Sequence, residues 1–285
     1  MKLKKVYLEI GNVCNRNCAF CPGCKRKPKL MNIAEFKRAA EEVKTVSDFV
    51  YFHLMGEPLL HPDLHSFFDI CHEIGLKVII TTNGTLLEEK KEILLGAKSL
   101  HKINISLHSF EANTESDDEM YFSQCFSFAK QASEKGIITV LRLWNQDGDL
   151  PGMNTKNDRI LDMMKSELPG EWIENTRGVR IATKLFLEWG ERFTWPDLNL
   201  PVLRENGSCY GLRDQVGILS DGTVVPCCLD KNGDIALGNV FEQDLNIILN
   251  SAKANEIRVG FCEHRYTEQL CKTCGYAGRF STKRS

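Results

Sequence analysis

Twelve cysteines, gathered into two groups, constrain this chain more than any other feature of its sequence. Four stand at Cys14, Cys18, Cys21 and Cys24, and six at Cys209, Cys227, Cys228, Cys262, Cys271 and Cys274. Cys71 and Cys125 stand alone and are expected to be small buried packing groups. A chain of 285 residues that is 42% hydrophobic can bury a core without disulfide staples. No apolar run approaches the roughly 20 residues of a membrane span, and Met1–Val6 has lysines but no secretory apolar stretch behind them. A cytoplasmic protein is expected. There, clustered cysteines signal metal or redox chemistry. A net charge of −2 gives no pull toward nucleic acid or an anionic membrane.

From residue 6 to about 182, short apolar strands alternate with helical stretches. Strands are predicted at Val6–Ile10, Phe49–Met55, Lys77–Thr81, Ile103–Leu107 and Ile137–Leu143, with a sixth at Val179–Ala182. Helices are predicted at Ile33–Lys44, Asp63–Ile74, Leu86–Leu95 and Glu119–Lys135, the first opened by a capping box of Asn32 and Glu35. Such alternation means parallel strands with helical crossovers, in a barrel or an open parallel sheet. The active site is then expected beyond the C-terminal ends of the strands. Residues 145–177 interrupt the rhythm and read as an insertion at the strand ends, with one helix near Asp158–Leu168. After Pro196–Pro201 comes a hairpin, Val216–Leu219 and Thr223–Cys227 around Asp221-Gly222, then a helix at Leu245–Ala254. Two domains are expected, 1–200 and 201–285.

Cys14, Cys18 and Cys21 follow the first strand directly. Three thiolates can hold three irons of a 4Fe–4S cluster and leave the fourth iron open. A run of Cys18, Cys21 and Cys24 also fits the start of a bacterial ferredoxin motif, but Pro28 occupies the position of the fourth cysteine. A four-cysteine zinc knuckle is the structural alternative.

The stretch Leu8-Glu9-Ile10-Gly11-Asn12-Val13-Cys14-Asn15-Arg16-Asn17-Cys18-Ala19-Phe20-Cys21 resembles the opening of the radical S-adenosylmethionine (SAM) superfamily. Met55-Gly56-Glu57-Pro58 resembles that family's Gly-Gly-Glu-Pro, and Thr82-Asn83-Gly84 and Ile105-Ser106-Leu107 continue the match in order. The Met55 departure is harmless if only Gly56 needs a permissive backbone. The resemblance implies a partial (β/α)6 TIM barrel in which Cys14, Cys18 and Cys21 hold a 4Fe–4S cluster. It places Glu57 on the SAM amino group, Phe20 beside the adenine and Ser106 at the ribose. Arg142, on the fifth strand, is a candidate for the SAM carboxylate. Reductive cleavage of SAM would supply a 5′-deoxyadenosyl radical that abstracts a substrate hydrogen, with a flavodoxin or ferredoxin as the reducing partner.

The second group, with Gly222-Thr223-Val224-Val225-Pro226-Cys227-Cys228 and Leu237-Gly238-Asn239-Val240, resembles the SPASM/twitch extension of this superfamily. The resemblance implies a small twitch domain, hairpin plus helix, with one auxiliary 4Fe–4S cluster on Cys209, Cys227, Cys271 and Cys274. Cys262 competes for a ligand place, Cys228 is expected to pack elsewhere, and a structural zinc site is the alternative.

For the substrate, polar residues near the strand ends are the candidates: His108, Glu9 and Asn145 as catalytic groups, with His53, Glu188 and Trp189 behind them. Tyr210 and Asp214 extend the set into the second domain. Lys25–Lys29 is either a solvated loop or a contact for phosphate or an acidic substrate. Compact size and the histidine on the fourth strand favour a small-molecule substrate, a nucleoside or nucleotide of the queuosine type cleaved to release its base. The alternatives are a twitch-type alcohol dehydrogenase of a sugar or aminocyclitol, and a peptide-modifying maturase, for whose usual N-terminal recognition domain Met1–Lys5 leaves no room. A nucleic-acid binder is disfavoured by the neutral charge and the lack of a basic, aromatic face.

Overall fold

The computed structural model describes residues 2–112, 118–147, 150, 154–176 and 178–280. The N-terminal part runs β1 (Lys5–Leu8), α1 (Ile33–Val46), β2 (Phe49–Phe52), α2 (Leu64–Glu73), β3 (Lys77–Thr82), α3 (Lys91–Gly96), β4 (Leu100–Ser106), α4 (Asp118–Glu134), β5 (Ile138–Gln146), α5 (Asn157–Glu167), β6 (Ile173–Asn175), β7 (Gly178–Ala182) and β8 (Leu185–Glu191). The C-terminal part adds β9 (Gln215–Ile218), β10 (Thr223–Val225), β11 (Gly238–Asn239), α6 (Leu245–Leu249), α7 (Ala252–Cys262) and α8 (Gln269–Lys272). The α1 capping box is formed: Asn32 Oδ1 accepts from the Glu35 N–H, and Glu35 Oε2 from the Asn32 N–H, both at 2.9 Å. Such a cap stabilises by about 1 kcal/mol.

All strands join one sheet in the order β11-β10-β9-β1-β2-β3-β4-β5-β8-β7-β6. The seven central strands, β9 to β8 in that order, are mutually parallel, and antiparallel strands flank them on both sides. Side chains alternate across this sheet. One face (Val6, Val50, Val78, Ile80, Ile103, Ile105, Leu141) is buried in the main core with Phe36 and Ala39 of α1, Phe67 and Phe68 of α2, and Phe126 of α4. The other face lines a lumen and carries Tyr7, Tyr51, Ser106, Arg142, Trp144 and Glu188.

Three expectations need correction. The sixth parallel strand is β8, not Val179–Ala182. The latter is β7, which pairs antiparallel with β8 and, with β6, forms an edge. Both segments are short and apolar, so periodicity does not rank them; pairing does. The C-terminal hairpin does not stand apart, because β9 pairs with β1 over four residues, Lys5↔Gln215 to Leu8↔Ile218. The helix expected at Leu245–Ala254 is two helices, because Ser251 starts a new one, its hydroxyl accepting from the Ala254 N–H at 3.3 Å. Residues 148, 149, 151–153 and 177 of the expected insertion lie outside the described residues.

Candidate active site

The first cysteine loop leaves β1 at its C-terminal end. Cys14 and Cys21 are exposed and Cys18 is half-buried. Each neighbouring motif meets this loop. Gly56 has φ +79°, a conformation that glycine adopts freely, and a Cβ there would collide with the Gly11 carbonyl and stand 2.9 Å from that of Val13. The Glu57 N–H donates to the same Val13 carbonyl at 2.8 Å. Asn83 Nδ2 donates to Asn15 Oδ1 at 2.9 Å and lies 3.9 Å from Cys14 Sγ.

Glu57 is buried, and burial pushes its carboxyl up to about 7 despite hydrogen bonds from Asn83, Thr82 and Leu59. Oε1 accepts from Thr82 Oγ1 at 2.7 Å and the Leu59 N–H at 3.0 Å; Oε2 accepts from the Asn83 N–H at 2.7 Å. A carboxylate has about four acceptor positions, so Oε2 keeps one for an incoming amino group. Phe20, half-buried, lies against His108 with ring centroids 4.9 Å apart. His108 is buried, and that burial lowers its pKa to about 4, so the ring is neutral. Its Nδ1 lies 3.2 Å from the Arg142 carbonyl oxygen and 3.3 Å from the Trp144 nitrogen, which anchors the ring to β5. Ser106, at the end of β4, pairs in register with Arg142.

Arg142 faces the lumen. Its guanidinium sits over the Trp144 ring at 4.5 Å and 3.6 Å from Glu188 Oε2, and its buried Nε has no hydrogen-bond partner. Tyr7, Tyr51 and Tyr276 are close enough to interact with it electrostatically. Tyr7 and Tyr51 lie ring to ring at 5.2 Å, and His53 is 5.9 Å from Tyr7. Burial and the Arg142 charge lower the His53 pKa to about 4. The three tyrosines and Trp144 were not singled out from sequence, although the two-residue alternation of β1, β2 and β5 carries the signal for Tyr7, Tyr51 and Trp144.

Two residues expected to be catalytic, Glu9 and Asn145, are hydrogen-bonded within the protein. Glu9 is 1% exposed and accepts from Arg26, Ser220 and the Met55 N–H, so its oxygens are occupied within the protein. Asn145 lies on the outer face of β5, one residue past the lumen-facing Trp144. It exchanges two amide hydrogen bonds, 3.0 and 3.1 Å, with Asn157 of α5. Trp189 shares that outer face, because it pairs with Leu143. A cavity of about 640 Å³ lined by Gln146, Asn154, Asn157, Asp158 and Trp189 lies there, beside α5 and outside the lumen. Asp214 pairs with Lys4 at 3.0 Å, at the opposite end of β1 from the cysteines, and Tyr210 lies under Arg213.

At the other end of the chain, burial pushes up the thiols of Cys227, Cys271 and Cys274, and neighbouring thiols add to it: Cys228, Cys209, Cys271 and Cys274 act on Cys227, and Cys209 acts on Cys271 and Cys274. Cys262, at the end of α7, is exposed. Cys228 also packs against Tyr7, Leu54 and Leu219 on the lumen side, with its thiol close enough to the Tyr7 hydroxyl to influence its ionisation. Cys71 and Cys125 are fully buried, as expected. Among the described residues no three His, Cys, Asp or Glu converge tightly enough for a single metal ion. Three thiols in the first set and four in the second match the ligand counts of one four-iron cluster with an open iron and one without.

Comparison with known proteins agrees with this geometry. Residues 8–149 match the model of the Radical SAM superfamily, and residues 209–275 match that of an iron–sulfur cluster-binding domain, SPASM. The chain is 24% identical to the S-adenosyl-L-methionine-dependent 2-deoxy-scyllo-inosamine dehydrogenase of Niallia circulans, over 94% of this chain and 91% of that one. It is 24% identical to the antilisterial bacteriocin subtilosin biosynthesis protein AlbA of Bacillus subtilis (strain 168), over 95% of this chain and 65% of that one. The fold is similar to the crystal structure of BtrN in complex with AdoMet and 2-DOIA, with a TM-score of 0.61 and 21% identity over 96% of this chain and 94% of that one. The chain belongs to the radical SAM superfamily, with S-adenosylmethionine and two 4Fe–4S clusters as cofactors and a SPASM-type domain at its C-terminal end.

Proposed function

We propose that this radical SAM enzyme oxidises a hydroxyl-bearing small molecule, a sugar or aminocyclitol, to the carbonyl compound. The observation that carries this is the complete set of four thiols at Cys209, Cys227, Cys271 and Cys274, which leaves no iron there open to bind substrate and suits an electron acceptor. SAM would supply the 5′-deoxyadenosyl radical that takes the carbon-bound hydrogen atom, and a cluster held by Cys209, Cys227, Cys271 and Cys274 would supply the acceptor for the remaining electron as the hydroxyl proton leaves. Cys14, Cys18 and Cys21 hold the cluster that binds SAM. Glu57 accepts from the SAM amino group through the free position on Oε2, Phe20 and the neutral His108 pack against the adenine, and Ser106 meets the ribose. Arg142, whose Nε faces Glu188 at 3.6 Å without a hydrogen bond, offers that donor to an oxygen of SAM or substrate. Tyr7 and Cys228 form the wall between the lumen and the second set of thiols. Residues 1–200 thus serve SAM and substrate, and 201–285 the auxiliary cluster, on one sheet.

The near full-length similarity to an aminocyclitol dehydrogenase favours this outcome over nucleoside cleavage. Peptide modification is the second reading, favoured by the similarity to the subtilosin protein across 95% of this chain. No described helix is long and apolar enough to cross a membrane, and we place the enzyme in the cytoplasm, reduced by a flavodoxin or ferredoxin. The test is anaerobic turnover of reconstituted enzyme with SAM, dithionite and 2-deoxy-scyllo-inosamine or related polyols. Loss of a hydrogen pair from a polyol with one 5′-deoxyadenosine per product supports oxidation. Turnover of nucleosides or peptides alone would reject it.

A further inference from the structure

The basic run Lys25–Lys29 follows the first cysteine loop, and its leading residues are turned back into the protein. Lys25 pairs with Asp197 at 3.3 Å, and its N–H donates to Asn232 Oδ1 at 3.4 Å. Arg26 is largely buried, its side chain 13% exposed. Its Nη2 reaches both oxygens of Glu9, at 2.7 and 2.6 Å, and its Nε donates to the Lys231 carbonyl at 2.8 Å. Glu9 also accepts from the Ser220 N–H at 3.1 Å, the Ser220 hydroxyl at 2.9 Å and the Met55 N–H at 3.3 Å. One buried ion pair therefore gathers the end of β1, the loop after Cys24, the turn before Gly56-Glu57 and the β9–β10 turn. Through Lys231 it also grips the segment that leaves Cys227 and Cys228.

We propose that Arg26 and Glu9 form a latch that sets the position of the C-terminal thiols relative to the first cysteine loop, with Arg26 as a positioning residue rather than a contact for phosphate. This rests on both thiol sets being cluster sites. Arginine is suited to the task because its planar fork points donors in two fixed directions, one to Glu9 and one to Lys231. A lysine at position 26 can neutralise Glu9, but its single nitrogen replaces the two separate nitrogens with which Arg26 reaches Glu9 and the Lys231 carbonyl.

That difference gives the test, made on anaerobically reconstituted holoenzyme. Arg26→Lys and Arg26→Gln are compared with the wild type, and Lys27→Gln, at an exposed neighbour, is the control. Hydrogen exchange and the electron paramagnetic resonance spectrum of the auxiliary cluster are the readouts. In Arg26→Lys, amides at 229–233 exchange about tenfold or more faster, while those of Met55 and Ser220 keep their protection. In Arg26→Gln both sets lose it. The auxiliary-cluster spectrum shifts in both variants and not in Lys27→Gln. Unchanged exchange at 229–233 and an unchanged spectrum in Arg26→Lys would overturn the latch, and this variant decides the matter even if Arg26→Gln fails to fold. Wild-type protein with only about four irons would instead reject the two-cluster premise.

Discussion

Glu57 Oε2 accepts a hydrogen bond from the backbone N–H of Asn83 at 2.7 Å, joining the loop after β2 to the loop after β3 through a buried carboxyl. Burial lifts that carboxyl from 4.5 to about 7. A folded-state pKa above the unfolded one means that the group's contribution to stability is full below about 4.5 and is lost as pH rises through about 7. SAM-free wild-type protein should therefore lose on the order of 3 kcal/mol from this group between the two limits. Glu57→Gln should flatten that part of the profile in urea unfolding. An unchanged pH dependence in the variant would show that the carboxyl is ionised throughout.

The two thiol sets should separate by mutation. Cys14→Ala, Cys18→Ala or Cys21→Ala should remove about four irons per chain and all 5′-deoxyadenosine formation. Cys227→Ala should also remove about four irons but leave the first cluster reducible and able to cleave SAM. Cys262→Ala should change neither count. Iron and sulfide analysis with a 5′-deoxyadenosine assay reads all three outcomes, and iron loss in Cys262→Ala would reassign an auxiliary ligand.

Asn145→Ala should act on stability and not on chemistry. It deletes both hydrogen bonds with Asn157 and strands a buried amide, at a cost of about 1–3 kcal/mol. Denaturant melts should show that loss while SAM cleavage per folded enzyme stays at the wild-type rate. A specific fall in cleavage would return Asn145 to the catalytic set.

His53 and His108 should remain neutral across the working range, because burial holds both near 4. Their ring resonances should not titrate between about pH 5 and about pH 8. A midpoint near 6.5 for either ring would mean that water reaches the lumen wall.

The cysteine spacings, Gly56-Glu57 and the strand–helix rhythm were legible because each is local: a loop, a turn or a period within a few residues. The parallel order β1 to β5 follows from that rhythm. What sequence hid was pairing across distance. Val179–Ala182 and Leu185–Glu191 are equally strand-like, and only contact with β5 makes the latter the sixth parallel strand. Glu9 was expected in the cavity because it sits at a strand end, and nothing near it in sequence announces Arg26 and Ser220 as its partners. Asn145 was a candidate as a polar group near a strand end, and the alternation of β5 turns it to the helix side, where Asn157 meets it. Tyr7 and Tyr51 passed as ordinary apolar strand residues, because the meeting with Cys228 and Tyr276 depends on the C-terminal part folding back.

The pairing of β9 with β1 has a consequence for the order in which this protein is made. During synthesis β1 leaves the ribosome first, and the strand that covers its outer side arrives only with Gln215–Ile218. Until then the nascent chain carries an open row of backbone donors and acceptors on β1, a template for pairing with other chains. A product cut short before residue 215 would keep every SAM motif and still expose that row. The last quarter of the chain thus completes the sheet as well as holding a cluster, and aggregation of translation-arrested or C-terminally truncated chains should start at β1.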